Sequence, residues 1–187
     1  TTTGSDSTFN LGNVWNAYNV PGHNLPAAVV PAISLVDRDG VASGVSFGIT
    51  TPIAGWGGVG ASGGAADLFR DYLFVQAGNS PVTADFAISG LTPGAAYDMI
   101  NFGGVARDAL VSIDLDGDGD LAEESGSLAP VNSGGVVRGI VASPTGQILG
   151  RVANGTGDPE GNWAGFHLFR APPPGAKLWS VDIHGAG

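Results

Sequence analysis

"VTADFAISGLTPGAAYDMINF", Val82 to Phe102, decides the fold. Val82, Ala84, Phe86 and Ile88 alternate with polar or small residues, the two-residue period of a strand that buries one face. Pro93-Gly94 then supplies a turn: Pro presets φ and Gly accepts the positive φ that a tight reversal needs. Apolar residues resume from Ala96 to Phe102. Outwards from this unit the same grammar repeats. Val45, Phe47 and Ile49 alternate with small residues, and Tyr72 to Gln76 and Ala109 to Leu115 form compact runs. Val136 to Ala142, Gln147 to Val152, Trp163 to Phe169 and Leu178 to Ile183 follow. Gly interrupts most windows of helical spacing, so Ala65 to Asp71 is the one helical turn expected. About nine to ten short strands predict an all-β, antiparallel jelly-roll β-sandwich with minimal helix.

The composition agrees with that class. Among 187 residues there are 32 Gly and 12 Pro, yet 43% are hydrophobic and only 13% charged, the reverse of a disordered chain. Nothing approaches the roughly 18 uninterrupted apolar residues of a membrane helix, so no membrane insertion is expected. The net charge is −10, with a lone Lys (Lys177) and scattered Arg, which opposes nucleic acid as a partner. Cysteine is absent, removing disulfides, thiolate catalysis and Cys-ligated metals. A start at Thr1 without a leader reads as a mature exported product or an excised domain. The chain reads as one domain, 1–187, with 1–8 a tail and 9–20 an N-terminal strand able to exchange into a neighbour's sheet. "APPPGA", Ala171 to Ala176, is a stiff connection before the last strand.

The strongest chemical signal is "DLDGDGDLAEE", Asp114 to Glu124, which gathers six of the 17 acids within eleven residues. Asp alternating with Gly lets a short loop curl its carboxylates about one point, and hard oxygens at that density suit Ca²⁺. Against D-x-[DN]-x-[DN]-G-x₅-E, the residues Asp114, Asp116, Asp118 and Gly119 match the first half of the pattern. Its final position holds Ser125, with Glu124 one place early. The loop follows a strand, so no EF-hand is implied. The expected ligands are Asp114, Asp116, Asp118, Asp120 and Glu124, in a structural role; the rival reading is a solvated hairpin tip built by Asp-Gly turn chemistry.

Catalytic patterns are weak. Gly44 to Gly48 and Gly60 to Gly64 spell G-x-S-x-G around Ser46 and Ser62, but a nucleophile elbow needs a strand-to-helix turn that neither has. His23, His167 and His184 lack ligand spacing, and His167 falls inside a strand-like run. Trp15, Tyr18, Trp56, Tyr72, Tyr97, Trp163 and Trp179 are the aromatics from which a sugar-stacking platform could be built, and of these Trp163 and Trp179 sit at strand-like positions that are more often core. Trp15 and Trp56, in polar or Gly-rich surroundings, are the glycan-stacking candidates.

The stretch from Tyr72 to Phe102, with its "GLTPGAAYD" turn, resembles the core of exported bacterial jelly-roll modules of the galactose-binding-like and malectin-like kind. Such modules occur in PEP-CTERM-type surface proteins. "GNWAGFHLF" and "LWSVDIHG" are similar to that group's closing strands. The resemblance implies a sandwich whose glycan contacts lie in variable loops, and it transfers no catalytic residue. The combined expectation is a non-catalytic extracellular structural protein of a bacterial cell surface or matrix. It is Ca²⁺-stabilised and assembles with copies of itself as a filament subunit by strand addition. A carbohydrate-binding module, and then a polysaccharide-active enzyme or esterase, are the alternatives.

Overall fold

The computed structural model describes residues 16–21, 27–37, 39–56, 71–76, 82–105, 107–124, 126–130, 133–155, 157–170 and 178–185. Its strands are β1 (Asn16–Val20), β2 (Ile33–Val36), β3 (Ala42–Ile49), β4 (Ala54–Trp56), β5 (Tyr72–Gln76), β6 (Thr83–Ser89) and β7 (Ala96–Gly103). They continue with β8 (Ala109–Ile113), β9 (Ser127–Ala129), β10 (Gly134–Val141), β11 (Gln147–Asn154), β12 (Glu160–Arg170) and β13 (Leu178–Gly185). Two sheets face one another. One has six strands in the order β2-β3-β6-β11-β8-β9. The other has seven: β1-β13-β12-β5-β4, with β7 beside β12 and β10 beside β7. From β5 to β8, and again from β9 to β12, each successive strand lies in the opposite sheet, as jelly-roll winding requires.

The unit at Val82 to Phe102 folds as read. Ala84, Phe86 and Ile88 are buried while their neighbours are half-exposed. Ala95 N donates to Thr92 O at 3.1 Å, and Gly94 has φ 68°, so Thr92–Ala95 is a tight turn with Pro and Gly at its centre. Thr92 N donates to the Tyr97 hydroxyl at 3.1 Å, tying the turn to the strand that leaves it.

Three features depart from expectation, and a fourth expectation falls outside the described residues. There are thirteen described strands rather than nine or ten, because β2, β4 and β9 are only three or four residues long. A pattern of period two needs more residues than that to be visible. The sandwich is antiparallel except for β1, which pairs parallel to β13, Asn16 opposite Val181 and Val20 opposite Gly185. The helical turn expected at Ala65 to Asp71 lies outside the described residues except for Asp71, which is a bend; no helix occurs among the described residues. Finally, β1 belongs to its own sandwich. Its Asn16 Nδ2 donates to Val36 O at 2.9 Å and its Oδ1 accepts from Val36 N at 2.8 Å. Tyr18 is fully buried, its hydroxyl donating to Val30 O at 2.9 Å and accepting from Ile49 N at 3.1 Å. Donating Asn16–Val20 to a neighbour would break these bonds and expose Tyr18, which counts against strand addition; residues 9–15 lie outside the described residues.

The core between the sheets is an aromatic chain. Phe86 stacks on Trp163 at 5.0 Å, Trp163 on Phe166 at 5.8 Å, and Phe47 meets Phe166 and Tyr18 at 5.2 and 4.9 Å. Trp163 and Phe166 are three residues apart, so a regular strand would send them to opposite faces. The register of β12 against β7 shifts between Trp163 and Gly165, and Gly165 has φ 142°; this bulge turns both rings inward.

His167 follows Phe166 and is turned away from that core. Its ring is buried edge-on to Phe102 at 5.0 Å and Phe169 at 6.2 Å, and burial lowers its pKa from 6.5 to about 4. The unfolded chain therefore takes up this proton first as pH falls. Stability is full above about 6.5 and declines towards about 4, by up to about 3 kcal/mol from this group. Urea unfolding of wild type and His167→Gln across that window checks this: the difference in stability between them should shrink with acidification, and parallel pH profiles would refute it.

Candidate metal centre

The acidic segment is the connection of the β8–β9 hairpin, in which Ala109 pairs with Ala129 and Val111 with Ser127. Its base is anchored. Asp114 N donates to Leu149 O at 3.1 Å, and Val141 N donates to Leu115 O at 2.8 Å. Gly117 has φ 80°, and a Cβ there would stand 2.8 Å from Val141 O and 3.0 Å from Ser143, so the loop packs on the turn after β10 in a way only Gly permits.

Within the loop the aspartates fold the backbone around themselves. Asp114 is buried; its Oδ1 accepts from Gly117 N at 2.6 Å and its Oδ2 from Gly119 N at 3.0 Å. Asp116 Oδ1 accepts from Asp118 N at 3.1 Å, Asp118 Oδ1 from Asp120 N at 2.9 Å, and Asp120 Oδ1 from Ala122 N at 2.8 Å. These are successive Asx turns, the local chemistry for which Asp is chosen in turns. Each carboxylate oxygen keeps a second lone pair for another partner.

Three overlapping triads result: Asp114 with Asp116 and Asp118, Asp116 with Glu123 and Glu124, and Asp118 with Asp120 and Glu123. In each, one ligand atom per residue lies within 4.8 Å of the others. Two oxygens on one Ca²⁺ at 2.3–2.6 Å stand at most about 5 Å apart, so the spacing suits that ion. Glu124 reaches back across the loop, its Oε1 accepting from Leu115 N at 3.2 Å. Its Oε2 is buried with no hydrogen-bond donor among the described residues. A buried carboxylate oxygen without a donor is costly unless a cation serves it.

All five expected ligands belong to this cluster, and the early Glu124 does enter it. Glu123, which the expected set leaves out, enters two of the triads; its place three residues after Asp120 and beside Glu124 was a usable signal. A backbone hydrogen bond within Glu123 lowers its carboxyl pKa, but desolvation, a hydrogen bond with Asp120 and the charges of Glu124 and Asp118 leave it raised. That is the response expected of anions crowded together.

The remaining candidates are dispersed. Ser46 is in β3, opposite Ser34 and Ser89 in the six-stranded sheet, whereas His167 belongs to β12 in the other sheet. Ser62 and His23 lie outside the described residues; His184 pairs through its backbone with Asn19. Tyr18, Tyr72, Tyr97 and Trp163 are buried, so none offers a stacking face. Trp15 lies outside the described residues. Trp56 closes β4 opposite Tyr72, and Trp179 pairs with Leu168; their side chains lie outside the described part.

No protein-family model matches the chain, and no curated protein does. Among solved structures, TmCBM61 in complex with β-1,4-galactotriose matches with 18% identity and a TM-score of 0.30, over 54% of this chain and 71% of that one.

Proposed function

We propose that this chain is a non-catalytic, Ca²⁺-stabilised β-sandwich module that serves as a structural piece outside a bacterial cell. One observation carries the reading: six carboxylates converge in overlapping triads on a hairpin whose Glu124 Oε2 is buried without a donor among the described residues. Asp114, Asp116, Asp118, Asp120, Glu123 and Glu124 would hold the ion, and its charge would offset their mutual repulsion. Most of these carboxylates are exposed, which suits the weak sites of extracellular modules, filled where Ca²⁺ is abundant. The absence of Cys and the scarcity of Lys favour the same setting. Assembly with copies of itself remains part of the proposal only through surfaces other than β1.

Calorimetry in EDTA and in CaCl₂ tests it. An ion held by the native state alone should raise the melting temperature by about 5–10 °C when free Ca²⁺ stands about a hundredfold above Kd. An unchanged melting temperature would overturn the metal reading.

A further inference from the structure

The connection from β11 to β12 carries the single Asp-Pro pair of the sequence, Asp158-Pro159 in "GTGDPEG". It leaves β11 at Asn154 and enters β12 at Glu160, so it passes from one sheet to the other. The chain reverses there: Asp158 N donates to Gly155 O at 3.3 Å, and Gly157 takes the φ of 84° that the reversal needs. Two contacts bear on one peptide bond. Asn154 Nδ2 donates to Asp158 O, the carbonyl oxygen of the Asp158-Pro159 amide, at 2.7 Å. Arg107 Nε stands 3.3 Å from Asp158 Oδ1, an ion pair that holds the carboxylate by one oxygen. Pro159 is exposed and the Asp158 side chain is 35% exposed, so water has access to the bond.

We infer that the Asp158-Pro159 bond is a self-processing site, cleaved by the protein's own residues and water. The Asp158 carboxylate is the nucleophile. Its Oδ2 adds to the Asp158 carbonyl carbon, an attack that closes a five-membered ring and needs no diffusional encounter. The carbonyl oxygen becomes an oxyanion, and Asn154 Nδ2 is already aimed at it. The C–N bond to Pro159 then breaks; its electron pair goes to the proline nitrogen, which takes a proton from solvent. Proline suits this role, because its amide nitrogen is tertiary and leaves as a basic secondary amine. The cyclic anhydride left on Asp158 takes up one water, giving a C-terminal Asp158 with two carboxyl groups and a new N-terminus at Pro159. Arg107 is a positioning residue, whose grip on Oδ1 leaves Oδ2 for the attack. The product is a nicked sandwich: β12 keeps its pairing with β5, β7 and β13, and Trp163 and Phe166 stay in the core. This inference is independent of the metal reading.

Intact-mass spectrometry of the purified full chain, incubated natively and in urea at mildly acidic and neutral pH, tests it. Native protein should yield fragments 1–158 and 159–187, whose masses sum to the parent plus one water. Cleavage should be faster in acid, because the leaving nitrogen must gain a proton. The native rate should exceed the urea rate by about a hundredfold, the range for one well-placed oxyanion donor, and Asn154→Ala should remove most of that excess. Hydroxylamine in the buffer should be captured as a hydroxamate on fragment 1–158, the mark of an acyl intermediate. Asp158→Ala and Pro159→Ala should stay whole with a melting temperature near that of wild type, and Arg107→Lys should keep more of the rate than Arg107→Ala. A native chain that stays whole, cleavage without hydroxamate, or cleavage that survives Asp158→Ala overturns the inference. So do equal rates in native buffer and urea, which would be ordinary Asp-Pro lability, and a folded Asn154→Ala variant that cleaves at the wild-type rate. If that variant loses its fold, the native-to-urea ratio of wild type and the intact Pro159→Ala chain decide.

Discussion

Replacing Asp114 by Ala should destabilise the chain in EDTA by about 2–4 kcal/mol and also abolish its response to Ca²⁺. The two effects have separate origins. Without metal, Asp114 is the acceptor for Gly117 N and Gly119 N, and it is the buried member of its triad. Truncation leaves both amides facing a cavity, and a buried donor without an acceptor bears its full desolvation cost. With metal, the loop loses the ligand nearest its anchored base. Asp114→Asn separates the two: its amide oxygen keeps one of the backbone bonds, so most stability in EDTA survives, while the lost charge weakens the ion. Urea unfolding in EDTA followed by Ca²⁺ titration reads both quantities. An Ala variant as stable as wild type in EDTA, or one that keeps the full Ca²⁺ shift, would contradict this account.

What the sequence made legible follows from how local each feature is. The alternation of Ala84, Phe86 and Ile88, and the Pro93-Gly94 turn, are written within a few residues, and the strands there fall within a residue or two of their expected bounds. The acidic loop is equally local, since its Asx turns reach only two residues ahead. Ser127–Ala129 could not be seen, because a three-residue strand exists only through its partner β8. The parallel seating of β1 on β13 joins opposite ends of the chain, and Asn16's grip on Val36 depends on that tertiary placement. The bulge at Gly165 was hidden behind a run of apolar residues that reads as continuous. The Asp85–Arg151 ion pair was hidden most deeply: the two residues are 66 apart in the chain and meet only through the β6–β11 register. Neither residue carries a motif.

Trp163→Ala should cost about 3–5 kcal/mol, the range for emptying a large aromatic site in a packed core. Against the roughly 5–15 kcal/mol that stabilises a typical domain, this is a large fraction. The indole is fully buried between the two sheets, flanked by Phe86 and Phe166, and its Nε1 donates to Asn101 Oδ1 at 3.3 Å. Removing it opens a void and strips that oxygen of its donor. Trp163→Phe keeps most of the packing and should cost less. A second substitution tests whether the stack is the cause. Gly150 lies against the Phe86 ring, and a Cβ there would overlap Phe86 Cζ. Gly150→Ala therefore forces Phe86 towards Trp163, where the native core has no space. In the Trp163→Ala background the ring can move into the vacated volume, so Gly150→Ala should then cost less than it does alone. Chemical denaturation of the single and double variants measures the coupling, expected at roughly 0.5–3 kcal/mol in the direction of relief. Strict additivity would mean that Phe86 is not held between Gly150 and the indole, and that the two sheets meet through contacts other than this stack.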